Sequence, residues 1–322
     1  MAAPEVSVIL ATRNRAERLR QALGPLGGQQ TGGRFSYEVV IVDNGSTDAT
    51  RQAVEALQAD FPAPLRYVYE AQVGKPFALN AGIRRAQGQL LAFIDDDVAP
   101  ERTWLLALWS SLADEGADAV AGRVLPNWEN EPPAWLAEGW LAHLNQLGLG
   151  CIDHGPARRR SWDGEDCRWV GGNMAVRRQV VERIGGFHEA LVRGQDSEYY
   201  ERCLQRGARV IYEPSASAHH GIRAERLTRQ AFRQWRVRQG YYDAAAVPWK
   251  LSHLITIMPL WRWRLTGRRA WAWLGARLAR STAWERFYSG LTMHEEIGAW
   301  SRRLQEWPRR WLAVITRKPE RP

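Results

Sequence analysis

Gln89-Leu90-Leu91-Ala92-Phe93-Ile94-Asp95-Asp96-Asp97 joins a short, mostly apolar run to three consecutive carboxylates. The run reads as a buried β-strand, and the triplet leaves it at its C-terminal end. Like charges so close repel one another at neutral pH, so the arrangement persists where a cation or a cation-bearing ligand offsets the repulsion. Hard cations such as Mn²⁺ and Mg²⁺ favour carboxylate oxygen and are commonly shared with substrate phosphates. The stretch therefore reads as part of a metal-diphosphate site.

Upstream, Val6 to Leu10, Glu38 to Val42 and Leu65 to Tyr69 repeat the short apolar pattern, with helices expected over about 16–23, 49–60 and 77–86. Four alternations of strand and helix in the first hundred residues predict an α/β protein with a Rossmann-like, mostly parallel sheet covered by helices on both faces. Ligands of such sheets sit beyond the C-terminal strand ends. Thr12 to Asn14, Asp43 to Ser46 and Asp95 to Asp97 all lie there. The second half is less regular. Strands are expected at Ala119 to Val124, Val170 to Val176 and Arg209 to Tyr212, and helices from the end of the Val170 to Val176 strand to about Ile184 and over Ser197 to Arg206, while residues 126–168 stay unassigned.

At 322 residues the chain can fill one large domain and an appendage. Three cysteines, Cys151, Cys167 and Cys203, without metal spacing point to reduced thiols. The N-terminus lacks a basic segment ahead of an apolar one, so a cytoplasmic protein is expected. The apolar stretch Leu251 to Trp261 is about half of the ~20 residues needed to cross a bilayer. Net charge is +9, unevenly spread: Arg223 to Pro322 carries 21 Lys and Arg against 7 Asp and Glu, with ten of the 17 tryptophans at or after Trp235. A slightly acidic body with a basic, aromatic tail is expected, with a boundary near residue 225.

Six ordered blocks define the rest: SVILATRNR (7–15), EVVIVDNGSTDAT (38–50), GKPFALNAGIRRAQGQLLAFIDDD (74–97), VGGNMAVRR (170–178), IGGF (184–187) and GQDSEYYERCLQRG (194–207). In that order they resemble the inverting glycosyltransferases of family 2, over roughly residues 5–230. The resemblance implies a GT-A fold with a C-terminal helical appendage: a catalytic domain over 1–225, its nucleotide-sugar half about 1–125 and its acceptor half about 126–225, then a basic, Trp-rich helical region over 226–322. It also implies a hexosyl- or deoxyhexosyl-transferase that uses a nucleoside-diphosphate sugar (UDP, dTDP or GDP), a divalent cation and a saccharide or lipid-linked hydroxyl acceptor.

By this resemblance Asp97 binds the metal, with His220 as a third metal or phosphate contact, while Asp95 and Asp96 meet the ribose or position the site. Neutral imidazole is a fitting Mn²⁺ ligand. Asp43 takes the base, with Thr12, Arg13 and Asn14 completing the nucleotide pocket; Asp-Asn-Gly-Ser is also good turn chemistry. Lys75 is one of only three lysines beside 41 arginines and can meet a phosphate as a point charge. Asn80 would orient the triplet or the donor. Asp196, expected just ahead of a helix, is the general base; Gln195 stands where the family usually has Glu. Gly171, Gly172 and Asn173 face donor sugar and acceptor.

The tail suits the headgroup region of an anionic membrane, which would make the protein peripheral at the inner face of the cell membrane. A packed helical domain with solvated arginines is the alternative. No nucleic-acid module is visible. The residues also leave open a sugar-nucleotide nucleotidyltransferase, which lacks support from a Gly-rich first loop, and a catalytically silent assembly protein of the same fold.

Overall fold

The computed structural model describes residues 3–137, 144–145, 147–246, 260–278 and 283–315. The chain divides into two compact units, Met1–Asn127 with Leu149–Gly221, and Trp128–Gly148 with Ile222–Pro322. The structure thus sets the change of unit at residue 222 and assigns 128–148, within the stretch left unassigned above, to the second unit.

The first unit begins with β1 (Val6–Thr12), α1 (Ala16–Gly27), β2 (Tyr37–Asp43), α2 (Thr50–Gln58), β3 (Leu65–Tyr69), α3 (Lys75–Arg85) and β4 (Leu90–Asp95). These strands are parallel in the order β3-β2-β1-β4. Apolar residues alternate faces as the period of two requires. Val8, Leu10 and Ile41 bury with Leu19, Leu23 and Val54 on one face, and Ile9, Val40, Val42 and Phe93 with Leu79, Phe187 and Tyr199 on the other. Helix α1 outlasts its expected end at Leu23 and runs through Pro25, because buried Leu26 extends its apolar face. The Pro25 and Leu26 carbonyls then find partners in the Gln29 amide and the Tyr37 hydroxyl.

Onward come β5 (Val98–Pro100), α4 (Trp104–Glu115), β6 (Ala119–Trp128), α5 (Ala134–Ala137), β7 (Arg159–Arg160), β8 (Asn173–Arg177), α6 (Arg178–Ile184), α7 (Gln195–Gln205) and β9 (Val210–Ile222). Here the expected parallel pattern gives way: β8 pairs antiparallel with β4 and with β6, and β9 runs antiparallel to β5 and β7. The result is one mixed nine-stranded sheet. Strand β9 extends ten residues beyond the expected end at Tyr212, so His219 and His220 lie within a strand instead of after one. Pro214 has no N–H for the ladder, and the Glu213 carboxylate takes the Ser215 N–H (3.0 Å) and hydroxyl (2.6 Å) beside it.

The second unit is helical. It holds α5, α8 (Arg229–Ala246), α9 (Leu260–Leu278) and α10 (Ala283–Ile315). Helices α8 and α10 meet backbone to backbone at two glycines: a Cβ on Gly240 would lie 1.7 Å from the Glu295 carbonyl oxygen, and one on Gly298 equally close to that of Val237. Several arginines of the tail are internal. Arg236 pairs with Glu295 (2.6 Å), and the wholly buried Glu296 takes Arg262 (3.3 Å) and Arg269 (2.6 Å). Among the described residues, no helix is long and apolar enough to cross a membrane. The stretch 251–259 lies outside the described residues.

Candidate active site

Strand register assembles the site. Thr12 sits opposite Asp43 and Ala11 opposite Asp95, so the ends of β1, β2 and β4 lie level where the strand order reverses. A cleft of about 380 Å³ opens there, lined by Thr12, Arg13, Arg15, Asn44, Lys75 and Asp95 to Asp97 among others.

Each triplet carboxylate has its own countercharge. Lys75 Nζ lies 2.5 Å from Asp95 Oδ1. Burial alone would lower the Lys75 ammonium, but Asp95, with Asp196 and Asp97 behind it, holds its pKa above the ordinary lysine value. Asp96 accepts the Thr12 hydroxyl (2.7 Å) and stands 3.8 Å from Arg15. Burial, with Asp97 and Asp95 adding repulsion, nevertheless raises its pKa. Asp97 goes the other way: burial is outweighed by His220, Arg15 and Lys75, and its carboxyl falls to about 2.

Antiparallel pairing of β5 with β9 brings His220 to Asp97. Val98 is opposite His220, and the Gly221 N–H donates to the Asp97 carbonyl (3.0 Å). His220 Nδ1 lies 2.6 Å from the Leu149 carbonyl, which can only accept, so Nδ1 carries the proton. Nε2 is then the ring nitrogen that faces Asp97, 3.4 Å from its Oδ1. A ring nitrogen donating to a backbone carbonyl while the other faces a carboxylate is the usual preparation of a metal-binding histidine. Among the described residues no three His, Cys, Asp or Glu side chains cluster tightly enough to hold a metal. Asp97 and His220 fit a cation that takes its other ligands from a phosphate or water. The His219 ring faces Glu101 instead (2.8 Å).

Asp196 lies in the first turn of α7, since the helix starts at Gln195 rather than at Ser197. Its Oδ2 accepts the Gly171 N–H (2.9 Å), and its backbone carbonyl accepts the Trp169 indole (2.8 Å). A Cβ on Gly171 would stand 3.3 Å from Asp196 Cβ, and one on Gly172 would stand 3.2 Å from Asp95 Oδ2. The two glycines therefore let Asp196 and Asp95 lie close against neighbouring backbone positions. Gln195 is buried at the start of the same helix. Glu198, two residues further along α7, is paired with Arg202 through both carboxylate oxygens (2.7 and 3.1 Å), so Asp196 is the carboxylate of this turn with the freer oxygen.

Other expected site residues do structural work. Asp43 is buried, with Oδ1 accepting the Ser46 N–H (2.9 Å) and Oδ2 the Tyr67 hydroxyl (2.8 Å). Asn14, at φ 53°, latches onto the same turn through Thr47 (2.8 Å) and Ser46 (2.8 Å). Asn80 departs from its expected role beside the triplet: its amide brackets Phe187, accepting the N–H (2.8 Å) and donating to the carbonyl (2.9 Å). Asn173 is wholly buried and bonded to the Trp104 indole and to the Arg123 and Ala216 carbonyls, which leaves nothing for a sugar. Sequence reasoning missed Arg15, which stands 3.8 Å from Asp96 and 4.0 Å from Asp97, and Asn44, whose amide ties the cleft wall together through Gln72 (2.7 Å) and Gly74 (2.7 Å). Two of the thiols are held protonated: burial pushes Cys167 up to about 11 and Cys203 to about 12.

Residues 7–185 match the model of a family described as Glycosyl transferase family 2. The chain is 29% identical over 220 residues to glycosyltransferase AglE of Haloferax volcanii, a stretch covering 68% of each. It is 26% identical over 270 residues to a pre-mycofactocin glycosyltransferase of Mycobacterium tuberculosis, covering 84% of this chain and 52% of that one, so it spans about half the length of that relative. Among solved structures, mannosyltransferase PcManGT of Pyrobaculum calidifontis, in complex with GDP-Man and Mn²⁺, aligns with a TM-score of 0.53 at 19% identity over 99% of this chain and 77% of that one. The shared fold is GT-A.

Proposed function

The chain belongs to glycosyl transferase family 2, and from that premise we propose that it moves a hexosyl or deoxyhexosyl group from a nucleoside-diphosphate sugar to a hydroxyl acceptor, with inversion. The acceptor is a saccharide or a lipid-linked glycan precursor, in polysaccharide or glycolipid assembly. Donor binding falls to about residues 1–125 and acceptor binding to about 126–225, with residues 226–322 as a separate helical region. Asp97 and His220 hold a divalent cation, Mn²⁺ or Mg²⁺, which when bound neutralises charge on the departing diphosphate. Lys75 and Arg15 add fixed positive charge at the same corner, and Arg13 lines the cleft beside them. Asp43, Thr12 and Asn14 shape the nucleotide end.

As the acceptor oxygen bonds to the anomeric carbon, the bond from that carbon to the diphosphate oxygen breaks and its electron pair leaves with the nucleotide. Asp196 takes the proton that the acceptor hydroxyl loses. The observation that carries this reading is that the consecutive glycines Gly171 and Gly172 let the Asp196 and Asp95 carboxylates approach one short stretch of backbone, which supports a base on Asp196 close to the triplet. Asp196 keeps one oxygen free of backbone from outside its own turn, since Oδ1 meets only the Ser197 N–H.

Asp196→Asn tests the assignment. A general base contributes about 10²–10⁴ in rate, so turnover is expected to fall by about that factor, while Mn²⁺-dependent binding of the donor nucleotide, read by calorimetry, survives. Wild-type turnover in this variant would refute the role of Asp196.

A further inference from the structure

The arginines of the helical unit fall into two sets. Arg236, Arg262 and Arg269 are directed inward to Glu295 and Glu296. Arg264 and Arg268 are exposed, on a helix that contains five arginines and no acidic residue. Arg264, Arg268, Trp271 and Gly275 follow one another at steps of four, three and four, and with Gly267 and Leu274 beside them share one exposed face of α9. Trp271 is 76% exposed and Leu274 41%. A solvated helix rarely spends its most hydrophobic large side chain on water, and the surrounding unit already has internal acids to balance its internal cations.

We propose that this face of α9 is a docking surface for an anionic phospholipid bilayer, lying in the plane of the headgroups. The partner is argued from charge and shape. Basic side chains with no acid on the helix complement a negative leaflet, and an indole with a neighbouring leucine suits the headgroup–acyl boundary. Small residues at 267, 272 and 275 let the backbone approach the surface closely. A protein groove would instead ask for a continuous apolar stripe, and among the described residues of α9 the exposed large apolar side chains are Trp271 and Leu274. The inference goes beyond the transfer reaction and does not depend on it.

Co-sedimentation of the full-length protein with vesicles of phosphatidylcholine, with and without phosphatidylglycerol, tests it. Binding is expected only with the anionic lipid. It should weaken from about 0.1 M to about 1 M salt, as the range of unscreened charge falls from ~10 Å to ~3 Å. Arg264→Gln with Arg268→Gln should weaken binding ~30-fold, from the roughly fivefold worth of each basic residue near a charged leaflet. Trp271→Ser should weaken it without altering charge. Arg18→Gln with Arg20→Gln, the same charge change on exposed positions of α1, should leave it within twofold, by the criterion that charge alone is not the determinant. Equal loss in the α1 pair, binding to pure phosphatidylcholine, no binding at all, or single-stranded DNA competing vesicles away through Arg264 and Arg268 would each overturn the proposal. Far-UV circular dichroism confirms that the variants fold, and these surface positions make no hydrogen bonds that folding would lose.

Discussion

Asp43 shows how a residue can be legible in type and hidden in context. Its strand-end position and the Asp-Asn-Gly-Ser turn are visible in the sequence, but Tyr67, 24 positions later on the neighbouring strand, is not, and its hydroxyl fixes one of the two carboxylate oxygens (2.8 Å). If Asp43 meets the base, Tyr67 acts through it as a positioning residue. Tyr67→Phe removes one hydrogen bond worth about 0.5–1.5 kcal/mol. The expected result is a donor KM raised about two- to tenfold with kcat nearly unchanged, and an unaltered KM would show that Asp43 needs no such support. Asn173 makes the complementary case. Its place after two glycines suggested a substrate contact, whereas three buried partners employ its whole amide. Asn173→Ala leaves an indole N–H and two carbonyls unsatisfied, a loss of about 2–4 kcal/mol. A thermal midpoint lowered by several degrees, with donor affinity retained in the folded fraction, distinguishes that role from one in binding. Asp97, Lys75 and His220 could be picked out because a short motif carries their chemistry. Arg15 could not, since only the turn of α1 against the triplet distinguishes it from other surface arginines.

At the scale of elements, the four parallel strands were readable because each is a continuous apolar run bounded by turn residues. Strand β9 was not. Pro214 ends a strand in any local reading, and the strand continues because the Glu213 carboxylate satisfies the Ser215 N–H beside the proline and because β5 and β7 pair with its two ends. α4 escaped for a related reason: Trp104, Leu105, Leu108 and Leu112 are buried, yet the segment is apolar on nearly every face, so no amphipathic period marks it. Strand β9 decides the metal corner, since it delivers His220, which the Leu149 carbonyl orients. Gly150 leaves room for that ring: its φ is +72°, and a Cβ there would come within 2.9 Å of His220 Cε1. Gly150→Ala therefore carries both a backbone strain of about 1–2 kcal/mol and a displaced imidazole. Loss of an orienting contact typically weakens a metal site 10–100-fold. Titration of Mn²⁺ in the presence of nucleoside diphosphate should show a weakening in about that range, with the circular-dichroism spectrum unchanged; undiminished Mn²⁺ affinity would remove His220 from the ligand set.

Across the whole molecule, composition revealed the division of charge but not its distribution in depth. A count of arginines cannot separate Arg262, 6% exposed beside a buried Glu296, from Arg264 in solvent. Depth also sets the response of the molecule to acid. Glu213 is lowered below the ordinary carboxylate range: burial opposes this, but the Ser215 hydroxyl and N–H and the Arg158 guanidinium outweigh it. Asp166 is lowered in the same way, against burial, by Arg168. A group whose folded pKa is depressed contributes stability that is complete above its unfolded value, about 4 for Asp and Glu, and that drains away as pH falls through the folded value. Asp96 has the opposite sign, since its raised pKa makes the charged form costly at neutral pH and the cost disappears on protonation. The depressed groups outnumber it, so the thermal midpoint should be flat from about pH 6 to 8 and fall below about pH 4. Glu213→Gln isolates one contributor. At pH 7 the variant should melt lower, because Arg158 keeps its charge and loses its partner. On acidification through its lowered pKa the wild-type glutamate protonates and comes to resemble the amide, so the two melting profiles should converge as the pH falls. Profiles that stay parallel throughout the acid limb would place the acid sensitivity elsewhere in the sheet.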